Sequence, residues 1–185
     1  EYPMEIAEVA SMAMELFSMD YWDVFFQNKE ELSRAKEHQL ERVITIFPWI
    51  ATIDKFQHWV YENPGHTVEQ RGEKWLQILK EFSSVNIDFE GLENYRTFSW
   101  QRQLHLFEVP FYYIEYGIAQ LGAIGLWHQF RNNKEAALDN YIRSLSLGGT
   151  KTLPQLYKEA GLEFNFSPVY IKRLMDFVKG EMEKQ

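Results

Sequence analysis

The 185 residues carry a formal net charge of -8, are 45% hydrophobic and 16% aromatic, and include no cysteine. That length and apolar content suffice for one domain over residues 1–185 with a substantial core, and they exclude a disordered chain. The acidic balance excludes nucleic acid and anionic membranes as electrostatic partners, and zero cysteines exclude disulfides and thiolate metal sites, as suits a cytoplasmic protein.

In chain order, the sequence opens at Glu1 inside a helical pattern without an initiator methionine, as expected of a piece of a longer protein. Pro3 suits a first helical position, and Ile6, Val9, Ala10, Ala13, Leu16 and Phe17 form an apolar stripe after it. Asn28 caps a second helix that Lys29, Glu30 and Glu31 open; Leu32, Ala35, Leu40, Val43, Ile44 and Phe47 form its apolar side. Pro48 lacks an amide proton and is expected to kink or break that helix, which resumes through Ile50, Ile53, Phe56 and Val60. The turn Asn63-Pro64-Gly65 ends it. Thr67 and Gln70 form a capping box for a helix from Val68 to about Phe82, and residues 83–94 read as irregular.

Residues 101–130, QRQLHLFEVPFYYIEYGIAQLGAIGLWHQF, organise the rest. His105 falls on a loop or extended stretch before a hinge at Pro110. Tyr112 and Tyr116 are four apart, so both hydroxyls project from one face if the segment is helical. Gly117, Gly122 and Gly125 each cost a helix about 1 kcal/mol against alanine, which predicts that another backbone approaches closely. An imidazole and two or three phenols at a helix mouth suit the stabilisation of an oxyanion; they equally suit peptide binding or plain core packing. A further helix over 134–147 ends at Gly148-Gly149, Pro154 starts a short helix that Gly161 stops, and Ser167-Pro168 opens the last. No strand-like alternation runs beyond four or five residues. The apolar stretches over 44–53 and 116–127 are too short or interrupted to span a bilayer. The expected fold is an all-α, multi-helix array.

On the first helix, Glu8 and Glu15 share a face, seven residues apart, with Ser11 and Met12 between them. A solvated acidic stripe is one reading. The other is metal ligation at Glu8, which stands among Ile6, Ala7, Val9 and Ala10, where an unpaired carboxylate is costly. The five histidines form no HExxH pair, and His38, His58, His66 and His128 read as surface or locally satisfied residues.

Three blocks carry a family likeness: EIAEVASMAMELF (5–17), HLFEVPFYYIEYGIAQLGA (105–123) and YIRSLSLGGTKTLPQLYKEAGLEF (141–164). In order and spacing the chain resembles the C-terminal part of the oligoendopeptidase F branch of the thimet oligopeptidase family, zincin-type helical metallopeptidases. The resemblance implies one zinc ion, bound by two histidines of an HExxH that would lie before Glu1 and by a glutamate of an E-x-x-S pattern, here Glu8 with Ser11. It implies that Glu15 orients a zinc-binding histidine. His105, Tyr112 and Tyr116, with Tyr113 as a further candidate, would hold an oligopeptide substrate and stabilise the tetrahedral intermediate. The implied activity is zinc-dependent hydrolysis of internal bonds in short peptides, with the missing N-terminal part of the same protein as a necessary partner. Without HExxH these residues alone should be inactive. The alternatives are a non-enzymatic helical module that binds protein or peptide, and a degenerate relative that keeps the fold without zinc.

Overall fold

The computed structural model describes residues 3–83 and 87–185, and every regular element among them is helical. The order is α1 (Met4–Ser18), α2 (Lys29–Glu62), α3 (Val68–Phe82), α4 (Glu93–Phe98), α5 (His105–Glu108), α6 (Ile114–Asn132), α7 (Lys134–Ser146), α8 (Leu153–Glu159) and α9 (Pro168–Met182). Single 3₁₀ segments cover Met19–Val24 and Ser99–Arg102. No helix among the described residues is long and apolar enough to cross a membrane. The chain divides into two compact units, Glu1–Ile44 with Glu115–Gln185, and Thr45–Ile114.

In the first unit the stripe expected on α1 is the buried one: Ile6, Val9, Ala13, Leu16 and Phe17 are all at most 3% exposed. Phe17 stacks on Phe130 of α6 at 4.5 Å between centroids, and the Tyr141 hydroxyl of α7 donates to the carbonyl of Ala10. Helix α6 is buried without a break from Leu121 to Trp127, so it has no solvated face over two turns. Buried Glu181 of α9 receives the Arg131 guanidinium at 2.8 Å, and Arg131 also reaches Asp20, which gives that buried charge its counter-ion.

Gly122 and Gly125 of α6 face side chains, where a second backbone was expected. A Cβ on Gly122 would lie 2.7 Å from the Tyr157 hydroxyl and 2.9 Å from Val9 Cγ2; one on Gly125 would lie 2.7 Å from Leu162 Cδ2. Tyr157 cannot retreat easily, since it is fully buried and its hydroxyl donates to the carbonyl of Ile118 at 2.9 Å. Gly122→Ala should therefore destabilise the protein by about 1–2 kcal/mol, the cost of overpacking exceeding the gain in helix propensity. Gly180 of α9 has open space where its Cβ would stand, and Gly180→Ala should stabilise by up to about 1 kcal/mol. Urea unfolding midpoints that move in opposite directions would bear this out.

The second unit is built around Ile53, Phe56, Trp75, Ile78 and Trp100. Trp75 packs edge-on against Phe56 at 5.0 Å, while its indole N–H is shared between the Arg96 carbonyl and the Ser99 hydroxyl. The capping box of Thr67 and Gln70 is formed. Of the stretch read as irregular, residues 84–86 lie outside the described residues, 87–92 have no regular structure, and α4 begins at Glu93.

Pro48 does not end its helix: α2 runs through it as one element of 34 residues. The missing amide costs one hydrogen bond, and packing on either side outweighs that loss. Leu40 and Val43 are buried before the proline, and Ile50, Ile53 and Phe56 after it. The Thr52 hydroxyl also donates to the Pro48 carbonyl at 2.8 Å, a local bond common where helices bend.

Candidate active site

Helix α5 and the turn that follows it carry three of the expected site residues. His105 opens α5, a four-residue helix where loop or extended chain was expected. Its ring lies edge-on to Tyr113 at 5.0 Å and parallel to Tyr112 at 6.3 Å. The three rings are half-buried and form one cluster. Tyr112 precedes α6, which begins at Ile114, so the helical i,i+4 relation of Tyr112 to Tyr116 does not apply.

What holds this segment is a buried glutamine. Gln57 of α2, 3% exposed, accepts from the Phe111 amide at 2.7 Å through Oε1, and its Nε2 donates to the Leu106 carbonyl at 3.4 Å. One side chain thus ties both ends of the Leu106–Phe111 stretch. Phe111 has φ of +63°, a conformation that a bulky side chain adopts only under constraint. Besides the bond to Gln57, the constraint is packing of the Phe111 ring against Tyr61 at 4.9 Å and His58 at 5.0 Å. The hinge expected at Pro110 is thus an anchored turn.

The cluster is also wired electrostatically. The Trp49 indole N–H donates to Gln103 Oε1 at 3.4 Å, and Gln103 Nε2 lies 2.6 Å from His105 Nδ1. Burial raises the phenol pKa of Tyr113, while a hydrogen bond from Trp49 opposes that rise. Tyr113 therefore keeps its proton at neutral pH and remains a donor.

In the other unit, α1 carries Glu8, half-buried on the flank of the apolar stripe. Glu115, in the first turn of α6, has its carboxyl pKa raised by desolvation first and then by the charges of Glu5 and Glu8. Its Oε2 is buried and has no hydrogen-bond partner among the described residues. Three carboxylates within electrostatic reach, one with an orphaned oxygen, make this an acidic corner. Tyr116 follows Glu115 directly on α6 and is half-buried. Glu15 is exposed, and its Oε2 accepts from Gln39 Nε2 at 3.0 Å.

Among the described residues no group of three or more His, Asp or Glu side chains could hold a metal. The acidic corner fits one carboxylate contribution to a metal site and does not fit a complete site. Of the other histidines, His66 accepts from Arg71 Nε at 2.7 Å, His58 lies 3.6 Å from Asp54, His128 packs on Phe177, and His38 is exposed.

Sequence reasoning missed Gln57, Trp49, Gln103 and Glu115. Glu115 was within reach, because it stands between Ile114 and Tyr116 in the apolar setting that singled out Glu8. Trp49 and Gln57 act across 54 positions of chain, and although Gln103 stands two residues from His105 no local pattern marks any of the three.

Comparison with known proteins places the chain in a family. Residues 1–176 match peptidase family M3. An oligoendopeptidase F homolog of Borreliella burgdorferi is 23% identical over 154 residues, which are 81% of this chain and 25% of that protein. The solved structure of PZ peptidase A with an inhibitor superimposes with a TM-score of 0.89 at 31% identity, covering 98% of this chain and 32% of that one. An X-ray structure assigned as oligoendopeptidase F gives 0.86 at 30% identity, with the same coverage. The chain thus spans about a third or less of the relatives it matches. With the match running through α1, the His105 segment and most of α9, this chain belongs to peptidase family M3.

Proposed function

We propose that these residues are part of a zinc-dependent endopeptidase acting on short peptides, with Glu8 as a zinc ligand and His105, Tyr112 and Tyr116 as the groups that hold substrate and stabilise the oxyanion. The clustering of His105, Tyr112 and Tyr113 on a segment tied at both ends carries this reading, since oxyanion stabilisation needs donors held in place before the reaction. When bound, zinc supplies Lewis acidity toward the scissile carbonyl and toward water. Glu8 would contribute one anionic oxygen to the metal, and the two histidines of HExxH would come from outside these residues. Glu15 would act through a metal-bound histidine. The phenols and His105 donate hydrogen bonds to peptide oxygens, and Tyr113 keeps its proton to do so at neutral pH.

The full-length protein should cleave an internally quenched peptide of roughly ten residues, lose that activity to a chelator and regain it with one equivalent of zinc. Residues 1–185 alone should not cleave it. Cleavage that survives complete removal of metal would refute the metallopeptidase proposal; binding of the peptide without cleavage would identify a non-enzymatic binding module instead.

A further inference from the structure

We infer that Trp49 and Gln103 are positioning residues that hold His105 in its Nε2–H tautomer, so that the ring offers the substrate a donor and not a lone pair; this deepens the proposed peptidase site and rests on it. An indole N–H can only donate, so the Gln103 amide atom facing it at 3.4 Å is the oxygen. The other amide atom is then the NH₂ group, which faces His105 Nδ1 at 2.6 Å and must donate to it. A ring nitrogen that accepts carries no proton, and neutral imidazole has one proton to place. It therefore sits on Nε2.

Each member of this relay is fixed independently. Trp49 lies on α2 with its ring edge-on to Trp75 at 6.0 Å and the Arg102 guanidinium above it at 5.7 Å. The Gln103 backbone is bonded on both sides, its amide to the Trp100 carbonyl at 3.0 Å and its carbonyl from the Leu106 amide at 3.1 Å. Tyr112 and Tyr113 set the plane of the imidazole. All of these residues belong to the unit Thr45–Ile114. The assignment gives His105 one chemical role: a neutral donor to a carbonyl oxygen or oxyanion needs no protonation to act, whereas a general base would need the lone pair on Nε2.

The test uses full-length protein with ¹⁵N-labelled histidine, with His105 assigned by loss of its signals in His105→Ala. Well above the ordinary imidazole pKa of about 6.5, wild-type protein should show a pyridine-type Nδ1 and a pyrrole-type Nε2. Gln103→Glu preserves size but can only accept, so the proton should move to Nδ1 and the pattern should reverse. With the donor gone, kcat on a short peptide should fall about 10²–10³-fold while KM changes little and zinc content is retained. Trp49→Phe, which removes the indole donor shared by Gln103 and Tyr113 together with part of the ring packed on Trp75, should mix the two tautomers and lower kcat less. A pyrrole-type Nδ1 in the wild-type spectrum overturns the assignment without any variant having to fold. A reversed pattern in Gln103→Glu with undiminished kcat overturns the donor role. Because the spectrum is read without turnover, a protein that shows the expected tautomer but cleaves nothing would support the relay while removing the peptidase proposal.

Discussion

Full-length protein carrying Glu8→Gln should lose its zinc on dialysis, while the wild type retains one ion per chain. An amide oxygen is neutral and a poorer donor than a carboxylate, and with Glu8 gone only two protein ligands would remain. The loss in affinity should exceed the 10–100-fold (roughly) that follows from removing a group that merely orients a ligand. Glu15→Gln sets that lower mark: because Glu15 has the proposed role of orienting a zinc-binding histidine, the variant should bind zinc more weakly yet still load at saturating metal. Helix α1 itself should be undisturbed by the Glu8 change, because the residues that anchor it, Ile6, Val9 and Ala13, point elsewhere into the core. Competition against a chelating dye reads both constants. Unchanged metal content in Glu8→Gln would remove this residue from the ligand set and make Glu5 or Glu115, its neighbours in the acidic corner, the next candidates.

Where short-range chemistry decides, the sequence is a good guide to this chain. Asn28 caps α2 by accepting from the Glu30 amide, Thr67 and Gln70 cap each other around α3, and Ser167 accepts from Tyr170 at the start of α9. The stripe on α1 is buried except at Ala10, while α6 is buried on all sides from Leu121 to Trp127, beyond what its spacing implies. Reasoning from nearest neighbours fails where distant contacts outweigh local preference. Pro48 sits inside a helix because buried residues on both sides hold it there. Four residues are too few for periodicity to reveal α5. A phenylalanine at positive φ has no sequence signature, and its conformation depends on Gln57, 54 positions earlier. The His-Tyr cluster could be named from the family likeness, but the groups that orient it could not, since Trp49 and Gln57 lie on α2 within an ordinary amphipathic pattern. Glu8 was singled out for the opposite reason: an acid surrounded in sequence by apolar neighbours advertises its own cost, and its role as a ligand rests on the proposal.

Tyr112→Phe and Tyr116→Phe should each leave zinc binding intact, and at least one should lower kcat by about 10²–10³-fold, the usual effect of deleting a single oxyanion donor. Each change removes one oxygen and preserves the ring. In Tyr112→Phe the stacking on His105 is kept, and the segment stays tied by Gln57, so a rate loss there cannot be assigned to a displaced loop. In Tyr116→Phe the residue lies in the first turns of α6, whose burial further along secures the helix. The kinetic pattern separates the two roles open to each phenol. A hydroxyl used only in the transition state lowers kcat and kcat/KM equally, whereas one that grips the substrate throughout raises KM and spares kcat. Tyr112 shares its unit with His105 and with the relay from Trp49, and should show the first pattern; a rise in KM alone would reassign it to substrate holding. If neither variant altered turnover, the oxyanion would have to be served by His105 and Tyr113. The second of these is suited to the task because burial keeps its proton in place at neutral pH, so Tyr113→Phe would then have to produce the loss that its neighbours did not.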